Sequence, residues 1–309
     1  MDVVSVGGIV TDIYSFCPTF PKPGESVCAR YCTMGYGGKG ANQAVMAAKL
    51  GAKSALIGKV GDDVFGKMHF AGYEEAGLNS DFVFTTSEAG TALACVMVRD
   101  DGMNCISVAY QATLLLNKDD IQKAEDMIKS AKVVSCQLET THATTLAALK
   151  VAKKHGVTTV LNAAPPSAEP LCEEMFTVSD IFCTNETETE TFTGLPVATV
   201  DEAKMATKFL LGKGCKSVIV TLGEGGCVYA SLEEKEPKHL PAKKVKAVNT
   251  TGAGDAFIGA LCFYIAKYSH LSFGEKIRRS VEIATISVLS QGTQTSYPLA
   301  KDLPKELLE

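Results

Sequence analysis

The stretch LAALKVAKKHGVTTVLNA, Leu146 to Ala163, contains the unit from which the fold is built. Its first part, Leu146 to His155, has apolar residues at helical spacing and is followed by Gly156, which suits the left-handed position just beyond a helix. Its second part, VTTVLNA, is a short β-branched and apolar run of the kind that forms a buried parallel strand. The stretch therefore predicts a helix that leads directly into a strand of an α/β sheet.

The same alternation continues on both sides of this stretch. Two further amphipathic segments precede glycines, Ala41 to Leu50 before Gly51 and Phe65 to Ala76 before Gly77. Four more runs have strand character: SALIGKV at 54–60, KVVSCQL at 132–138, SDIFCTN at 179–185 and KSVIVTLG at 216–223. Because parallel strands need crossover connections, we predict a doubly wound, mostly parallel central sheet with helices on both faces.

Two segments interrupt this alternation. Residues 12–37 include CPTFPKPGES and have no helical period, and residues 91–109 hold two apolar runs around the turn DDGMN, which is a hairpin signal. Together they predict a small β-sheet lid on a single domain of residues 1–309. Flaps on a rigid scaffold commonly enclose a ligand, although a merely decorative insertion is the alternative.

Composition narrows the functional classes. The 309 residues carry a formal net charge of -5 without a dense block of Lys or Arg, which argues against a broad nucleic-acid surface. No apolar run approaches the roughly 20 residues of a membrane helix, and MDVVSVGGIV is expected to form a strand rather than a signal peptide. Eleven cysteines, several within apolar runs, favour a reducing cytoplasm, or the nucleus in a eukaryote. Cys28 and Cys32 lack a second pair, so a zinc site is not favoured.

Two glycine motifs point to other functions but lack the expected context. GYGGKG, Gly35 to Gly40, matches the dinucleotide fingerprint of oxidoreductases, but the preceding RYCTM belongs to the predicted lid rather than to a buried strand. GDDVFGKM, Gly61 to Met68, has the spacing of a phosphate-binding Walker loop, but Met68 cannot supply the hydroxyl that binds magnesium. Neither motif carries a functional assignment.

The stretch NTTGAGDAFIGAL, Asn249 to Leu261, is different. Gly252, Ala253 and Gly254 precede an apolar helical run, so their amides are expected at the positive end of a helix dipole with little side-chain cover. Such a helix start lets a phosphate approach the backbone closely. Asp255 either complements the dipole or takes a proton from an attacking hydroxyl.

Four motifs occur in the order found in the ribokinase (PfkB carbohydrate kinase) family: GYGGKGANQAVMAAKLGA at 35–52, NETETE at 185–190, VTLGEGG at 220–226 and NTTGAGDAF at 249–257. The resemblance runs from residue 3 to about residue 298. FPKPGES and GTQTSYP resemble the ribokinase branch more than its adenosine kinase or fructokinase branches. The resemblance implies transfer of the γ-phosphoryl group of ATP to a sugar hydroxyl, O5 of D-ribose in the ribokinase branch.

The resemblance also implies roles for individual residues. Asp255 would be the base, and Gly252, Ala253 and Gly254 the anion hole. The sugar would be held by Asp12, Gly38, Lys39, Asn42 and Glu139, with Asp255. The nucleotide would be held by Asn185, Glu188, Thr221, Gly223, Gly226 and Gly254, and Mg²⁺ by Asn185 and Glu188 through water. A monovalent cation, K⁺ in the family, would be held by Asn249, Thr251, Ser287, Ser290, Gly292 and Ser296.

Three departures from the family pattern bear on specificity. Val10 stands where ribokinases often carry an Asn, and Tyr110 and Gln111 replace a small turn that contains Asn. Asn249 stands where an Asp is common, so weaker activation by K⁺ is expected.

Three functional alternatives remain open at this stage. The first is a kinase for another sugar or for a nucleoside, whose base could lie against a wall of Phe16, Phe20 and Tyr110. The second is a catalytically silent sugar-binding relative, and the third is the oxidoreductase indicated by GYGGKG. Since family members dimerise through the flap, the resemblance also implies a homodimer through the β lid.

Overall fold

A nine-stranded sheet forms the centre of the computed structural model, which describes residues 1–167 and 169–309. The strand order is β13-β12-β11-β10-β9-β8-β1-β4-β5. The strands are β1 Val3–Val6, β4 Ser54–Gly61, β5 Asn79–Thr86, β8 Val133–Cys136, β9 Thr158–Asn162, β10 Ile181–Asn185, β11 Ser217–Thr221, β12 Cys227–Ser231 and β13 Lys238–Leu240.

The pairing within this sheet is mostly parallel, as the sequence predicts. Strands β11, β10, β9, β8, β1, β4 and β5 follow one another in parallel register, and the five quoted strand-like runs each contain one of them. Strands β12 and β13 add an antiparallel edge that the sequence analysis did not anticipate. Because these seven strands are parallel, their carboxyl ends lie at one edge of the sheet.

Helices cover both faces of the sheet. They are α1 Lys39–Lys49, α2 Val64–Glu75, α3 Lys118–Lys123, α4 Glu125–Ser130, α5 His142–Lys154, α6 Glu173–Thr177, α7 Glu186–Thr193, α8 Val200–Leu211, α9 Ala253–Lys267 and α10 Phe273–Ser287. Successive strand residues belong to different cores: Val160 packs with α1, α9 and α10, whereas Leu161 packs with α5 and α8. This alternation follows from the two-residue period of a strand and confirms the doubly wound fold.

The predicted glycine positions close their helices. Gly51, Gly77 and Gly156 each lie two residues beyond the end of α1, α2 and α5, with φ of 93°, 65° and 71°. A residue with a β-carbon would be strained in this left-handed conformation, so these glycines set where each helix ends.

A second sheet of four strands lies in the order β3-β2-β6-β7, with β2 at Val10–Cys17, β3 at Tyr31–Gly37, β6 at Ala92–Arg99 and β7 at Asn104–Ala109. Strands β6 and β7 form an antiparallel hairpin around the turn that the sequence predicts. Strand β2 pairs parallel with β6 and antiparallel with β3. This sheet is called the lid sheet below.

Within residues 1–167 and 169–309, no helix has the length and apolar character that crossing a bilayer requires.

Candidate active site

The first turn of α9 combines a glycine-rich helix start with a buried carboxylate. Gly252 lies just before α9 with φ of 79°, and a β-carbon there would come within 2.5 Å of Thr293 Cγ2. A β-carbon on Gly254 would meet no heavy atom within 4 Å. Gly252 is therefore required by the backbone, whereas the space beside Gly254 is open. Amides at a helix start with open space beside them can receive an anion.

Asp255 is buried directly behind these amides and is held by two side chains of α1. Its carboxylate accepts hydrogen bonds from Asn42 Nδ2 at 2.9 Å and from Gln43 Nε2 at 3.2 Å, and only 6% of the residue is exposed. Two donors aimed at the carboxylate fix its orientation. A carboxylate fixed at this place can accept a proton.

A chain of amide side chains continues behind Asp255. Asn42 Oδ1 accepts from Gln294 Nε2 at 2.9 Å, and Gln43 Oε1 accepts from Gln137 Nε2 at 2.6 Å. Gln43 Nε2 also donates to Asn162 Oδ1 at 3.1 Å. The roles of Gln43, Gln137, Asn162 and Gln294 were not predicted from the sequence. Gln294 orients Asn42, whereas Gln137 and Asn162 orient Gln43. Asn42 and Gln43 in turn orient Asp255.

A cleft of about 570 Å³ opens in front of Asp255. We call it the main cleft. All six residues predicted to hold the sugar line it: Asp12, Gly38, Lys39, Asn42, Glu139 and Asp255. These residues come from β2, the start of α1, the loop after β8 and the start of α9. The cleft is large enough for a small ligand and has the convergent donors and acceptors that a polyhydroxylated molecule needs.

The lid sheet supplies the opposite wall of the main cleft. Asp12, Tyr14 and Phe16 of β2 line it, together with Ala94, Val96 and Val98 of β6 and Asn104, Ile106 and Val108 of β7. These positions alternate along each strand and lie beside one another in register. The wall is thus apolar except at Asn104 and near Asp12, whose Oδ2 accepts from the Tyr14 hydroxyl at 3.2 Å.

Burial perturbs the acidic groups of the main cleft. It raises the pKa of Glu139 to about 7, against the lowering effect of Lys39, and the Glu139 Oε2 accepts from the Lys39 amide at 2.7 Å. Burial likewise raises the pKa of Asp12 to about 6. For Lys39, burial lowers the pKa, but the carboxylates of Asp255 and Glu139 outweigh it and the net pKa is raised. Lys39 therefore stays cationic among carboxylates, an arrangement common at functional sites.

The departures from the family pattern occupy different places. Val10 is 3% exposed and lines the main cleft, where it presents no hydrogen-bonding side chain. Tyr110 also lines it, and burial raises the pKa of its hydroxyl to about 12. Gln111, with φ of 39°, donates from Nε2 to the Thr91 carbonyl at 3.1 Å and is not among the lining residues. Of the four departing residues, Val10, Tyr110 and Asn249 line the main cleft, and Gln111 does not.

The residues predicted to hold the nucleotide lie at the carboxyl ends of β10 and β11. Asn185 and Thr221 end these strands and pair in register. Asn185 caps α7: its Oδ1 accepts from the Glu188 amide at 2.8 Å, and Glu188 Oε2 accepts from the Asn185 amide at 2.9 Å. Gly223 and Gly226 form the turn between β11 and β12. The capping box engages the only side-chain oxygen of Asn185 and one of the two side-chain oxygens of Glu188. Asn185 and Glu188 therefore suit Mg²⁺ held through water better than direct ligation of the ion.

The predicted cation ligands belong to the last residue of α10 and to two adjacent segments. The Asn249 amide donates to the Val288 carbonyl at 3.2 Å, and the Tyr297 hydroxyl donates to the Gly252 carbonyl at 3.1 Å, so residues 248–252 and 288–297 contact each other. Asn249 lines the main cleft and its Oδ1 accepts from the Thr251 amide at 2.8 Å. The donor set consists of oxygens from backbone, hydroxyl and amide groups, which suits a hard cation.

The two glycine motifs that resemble nucleotide loops lie in other structural contexts, and Gly38 and Lys39 of GYGGKG line the main cleft. Residues 35–37 of GYGGKG end β3 in the lid sheet. Asp63 of GDDVFGKM caps α2 by accepting from the Gly66 amide at 2.8 Å. Among the residues that the structure describes, no three His, Cys, Asp or Glu side chains gather as a metal site.

The comparisons with known proteins agree with this geometry. Residues 1–300 match the pfkB family of carbohydrate kinases. A mouse protein named ribokinase is 46% identical over 99% of this chain and 94% of its own, and a Salmonella typhi deoxyribokinase is 37% identical over 96% of each. The structure of Arabidopsis thaliana ribokinase complexed with ribose and ATP is 30% identical, with a TM-score of 0.89 over 99% of this chain and 98% of that one. The chain therefore belongs to the pfkB family of carbohydrate kinases.

Proposed function

We propose that this protein transfers the γ-phosphoryl group of ATP to O5 of D-ribose. The observation that carries the proposal is the position of Asp255, buried behind the amides of the α9 start and facing the same cleft as Asp12, Lys39 and Glu139. The mouse relative named ribokinase and the Arabidopsis structure with ribose and ATP support this acceptor and donor. A silent sugar-binding protein would have no use for a base at the phosphate site.

The proposed step pairs a base with an anion hole. Asp255 accepts the proton of the O5 hydroxyl as this oxygen bonds to the γ-phosphorus. The bond from that phosphorus to its bridging oxygen breaks, and the electron pair leaves with ADP. The amides of Gly252, Ala253 and Gly254 stabilise the charge on the transferring group. Positioning and electrostatics thus provide most of the acceleration.

The remaining site residues bind and orient the two substrates. Asp12, Gly38, Lys39, Asn42 and Glu139 hold the sugar hydroxyls, and Thr221, Gly223 and Gly226 hold the nucleotide. Asn185 and Glu188 orient the water shell of Mg²⁺. When bound, Mg²⁺ neutralises charge on the phosphates.

The test of this proposal is ADP release from ATP and Mg²⁺ with D-ribose, 2-deoxyribose, fructose, adenosine or no acceptor. Turnover that requires ribose supports it. Turnover with adenosine or fructose but not with ribose would identify a kinase for another acceptor. ATP binding without turnover for any acceptor would favour the silent binder, and thermal protection by NAD but not by ATP would revive the oxidoreductase.

A second acceptor, 2-deoxyribose, is favoured by the wall at Val10. This wall has no group that bonds a hydroxyl, and the chain is 37% identical to a deoxyribokinase. Binding of 2-deoxyribose, which lacks the 2-hydroxyl of ribose, therefore leaves no buried polar group of the protein unpaired beside Val10. We expect Val10→Asn to raise the ratio of kcat/KM for ribose to that for 2-deoxyribose by about 2- to 10-fold, the value of one hydrogen bond.

The matched control for this prediction is Val96→Asn, which makes the same change on a different strand of the cleft wall. Initial rates with both sugars are measured for the three proteins. An unchanged ratio in Val10→Asn, or an equal rise in Val96→Asn, would show that residue 10 does not discriminate between the sugars.

We further propose that K⁺ binds beside the α9 start, held by oxygens of Asn249, Thr251, Ser287, Ser290, Gly292 and Ser296. Asn249 brings no charge to offset the cation. We expect Asn249→Asp to lower the K⁺ concentration for half-maximal activity by about fivefold, because a charged ligand adds on the order of 1 kcal/mol.

Activity is titrated with KCl at constant ionic strength, with choline chloride replacing K⁺. Keeping ionic strength constant removes the general effect of salt on exposed charges. Equal half-activation in the two proteins would contradict the role of residue 249.

We propose that two copies associate through the lid sheet. Its face opposite the main cleft carries the exposed side chains of Cys32, Met34 and Cys95. Exposed apolar side chains on a sheet with free edges favour pairing with another copy. Sedimentation equilibrium is expected to give twice the chain mass of 32.7 kDa, and a monomer mass at every concentration would rule this out.

A further inference from the structure

A second cleft, of about 400 Å³, lies at the amino ends of the central strands. Its lining includes Thr158, Ile181 and Ser217, the first residues of β9, β10 and β11. Asp255 and the nucleotide-binding residues follow the carboxyl ends of strands in the same sheet. This rear cleft is therefore at the opposite edge of the sheet from the proposed catalytic centre.

Three lysines and one carboxylate give the rear cleft a positive charge. Asp180 is 9% exposed, and its Oδ1 lies 2.5 Å from Lys153 Nζ and 2.8 Å from Lys216 Nζ. Its Oδ2 accepts from the Thr159 amide at 3.0 Å. The third lysine, Lys276, belongs to α10. With one Asp and three Lys, the titratable groups in the lining leave about two positive charges unbalanced.

Lys276 is in an unfavourable environment when the rear cleft contains only water. It lies in the first turn and a half of α10, near the positive end of the helix dipole, and no carboxylate of the described residues pairs with it. Glu275, the neighbouring acid, pairs instead with Arg278 and Arg279. Burial lowers the pKa of the Lys276 ammonium. An anion between Lys276 and the other two lysines would relieve all of these costs.

Beside Thr158 and Ser217, the rear cleft also has an apolar part. Val157, Ile181, Ile265 and Phe273 line it, and the side chains of Val157 and Ile181 are buried. A cleft that combines an apolar surface with convergent charged groups suits an amphipathic small molecule rather than a bare ion. Inorganic phosphate would use only the lysines.

We propose that the rear cleft binds a small phosphate monoester with an apolar body, whose dianionic phosphate is held by Lys153, Lys216 and Lys276. The apolar body lies against Ile265 and Phe273. Since Ile265 belongs to α9, the ligand contacts the helix that carries Asp255 at its other end. Nothing in the proposed catalytic step uses this site.

The test is calorimetric titration with phenyl phosphate, with D-ribose and a non-hydrolysable ATP analogue present to fill the main cleft. Lys276→Gln is expected to weaken phenyl phosphate binding by at least about tenfold, as befits a charged hydrogen bond. In the absence of phenyl phosphate, the melting temperature of Lys276→Gln is expected to equal or exceed that of the wild type, because the substitution removes a desolvated charge. Inorganic phosphate, tested separately, is expected to bind more weakly than phenyl phosphate.

The matched control is Lys129→Gln, an exposed lysine at the end of α4, which should bind phenyl phosphate as the wild type does. Lys216→Gln is a second test, should Lys276→Gln fail to fold, and it should also weaken binding. Equal binding by the lysine variants of the cleft and the wild type would overturn the proposal, as would the absence of any heat with the wild type. Equal affinities for phenyl phosphate and inorganic phosphate would overturn the proposed contact of an apolar ligand body with Ile265 and Phe273.

Discussion

Asp255→Asn is expected to lower kcat for ribose-dependent ADP formation by about 10² to 10⁴-fold, the usual range for loss of a general base. The amide has nearly the shape of the carboxylate but cannot accept the proton of the attacking hydroxyl. KM for ATP is expected to change little, because Thr221, Gly223 and Gly226 are untouched. Steady-state rates at saturating ribose and ATP measure the effect.

The same substitution has a stability cost that must be separated from its effect on catalysis. Asn42 Nδ2 and Gln43 Nε2 both donate to Asp255, so one of them would face the new NH₂ group. A cost of about 1 to 3 kcal/mol in the free energy of unfolding is expected. Asp62→Asn, the same change at an exposed site, is the control for both measurements. A folded Asp255→Asn protein that turns over ribose at the wild-type rate would remove Asp255 from the mechanism.

Gly254→Ala is expected to lower kcat/KM for ATP by about 10- to 10²-fold while leaving the fold intact. Gly254 lies inside α9, where Ala is favoured over Gly by about 0.5 to 1 kcal/mol, and its β-carbon would meet no protein atom within 4 Å. The methyl group would instead occupy the space that the transferring phosphoryl group needs. Kinetics and chemical denaturation of the same preparation measure the two effects.

Gly252→Ala is the contrasting variant. Its β-carbon would meet Thr293 Cγ2 at 2.5 Å and the Tyr297 hydroxyl at 2.8 Å, and its φ of 79° costs a non-glycine residue about 1 to 2 kcal/mol. Both stability and activity should therefore fall in Gly252→Ala, whereas only activity should fall in Gly254→Ala. Wild-type kinetics in Gly254→Ala would show that the phosphoryl group does not approach these amides.

Much of the fold was predictable because its signals are local. A helix followed by glycine and a β-branched run, as at Leu146 to Ala163, specifies two elements and their connection. The antiparallel edge formed by β12 and β13 was not predicted, since β13 has three residues, KHL, with little strand character. The pairing of β2 with β6 is likewise a contact between distant segments, and no local pattern specifies which strands become neighbours.

The site was predictable to a different extent. The glycines and carboxylate of the α9 start are adjacent in sequence, so their pattern could be interpreted directly. The amides of Gln43 and Gln294 were missed because their role depends on Asp255 and Asn42, which lie far away in the chain. For Gln43, the signal available in the sequence was a polar side chain at an otherwise apolar position of α1. Asn185 and Glu188 resemble an ordinary capped helix start, and the structure indeed contains that capping box.

The measurement that tests the central claim most directly is the ³¹P NMR spectrum of the product formed from ATP, Mg²⁺ and D-ribose. Transfer to O5, a primary hydroxyl, predicts a monoester signal split into a triplet by the two protons on C5, together with an equal amount of ADP. A doublet, which reports an ester on a carbon with one proton, would place the phosphate on another hydroxyl. Release of ADP with inorganic phosphate alone would contradict sugar phosphorylation altogether.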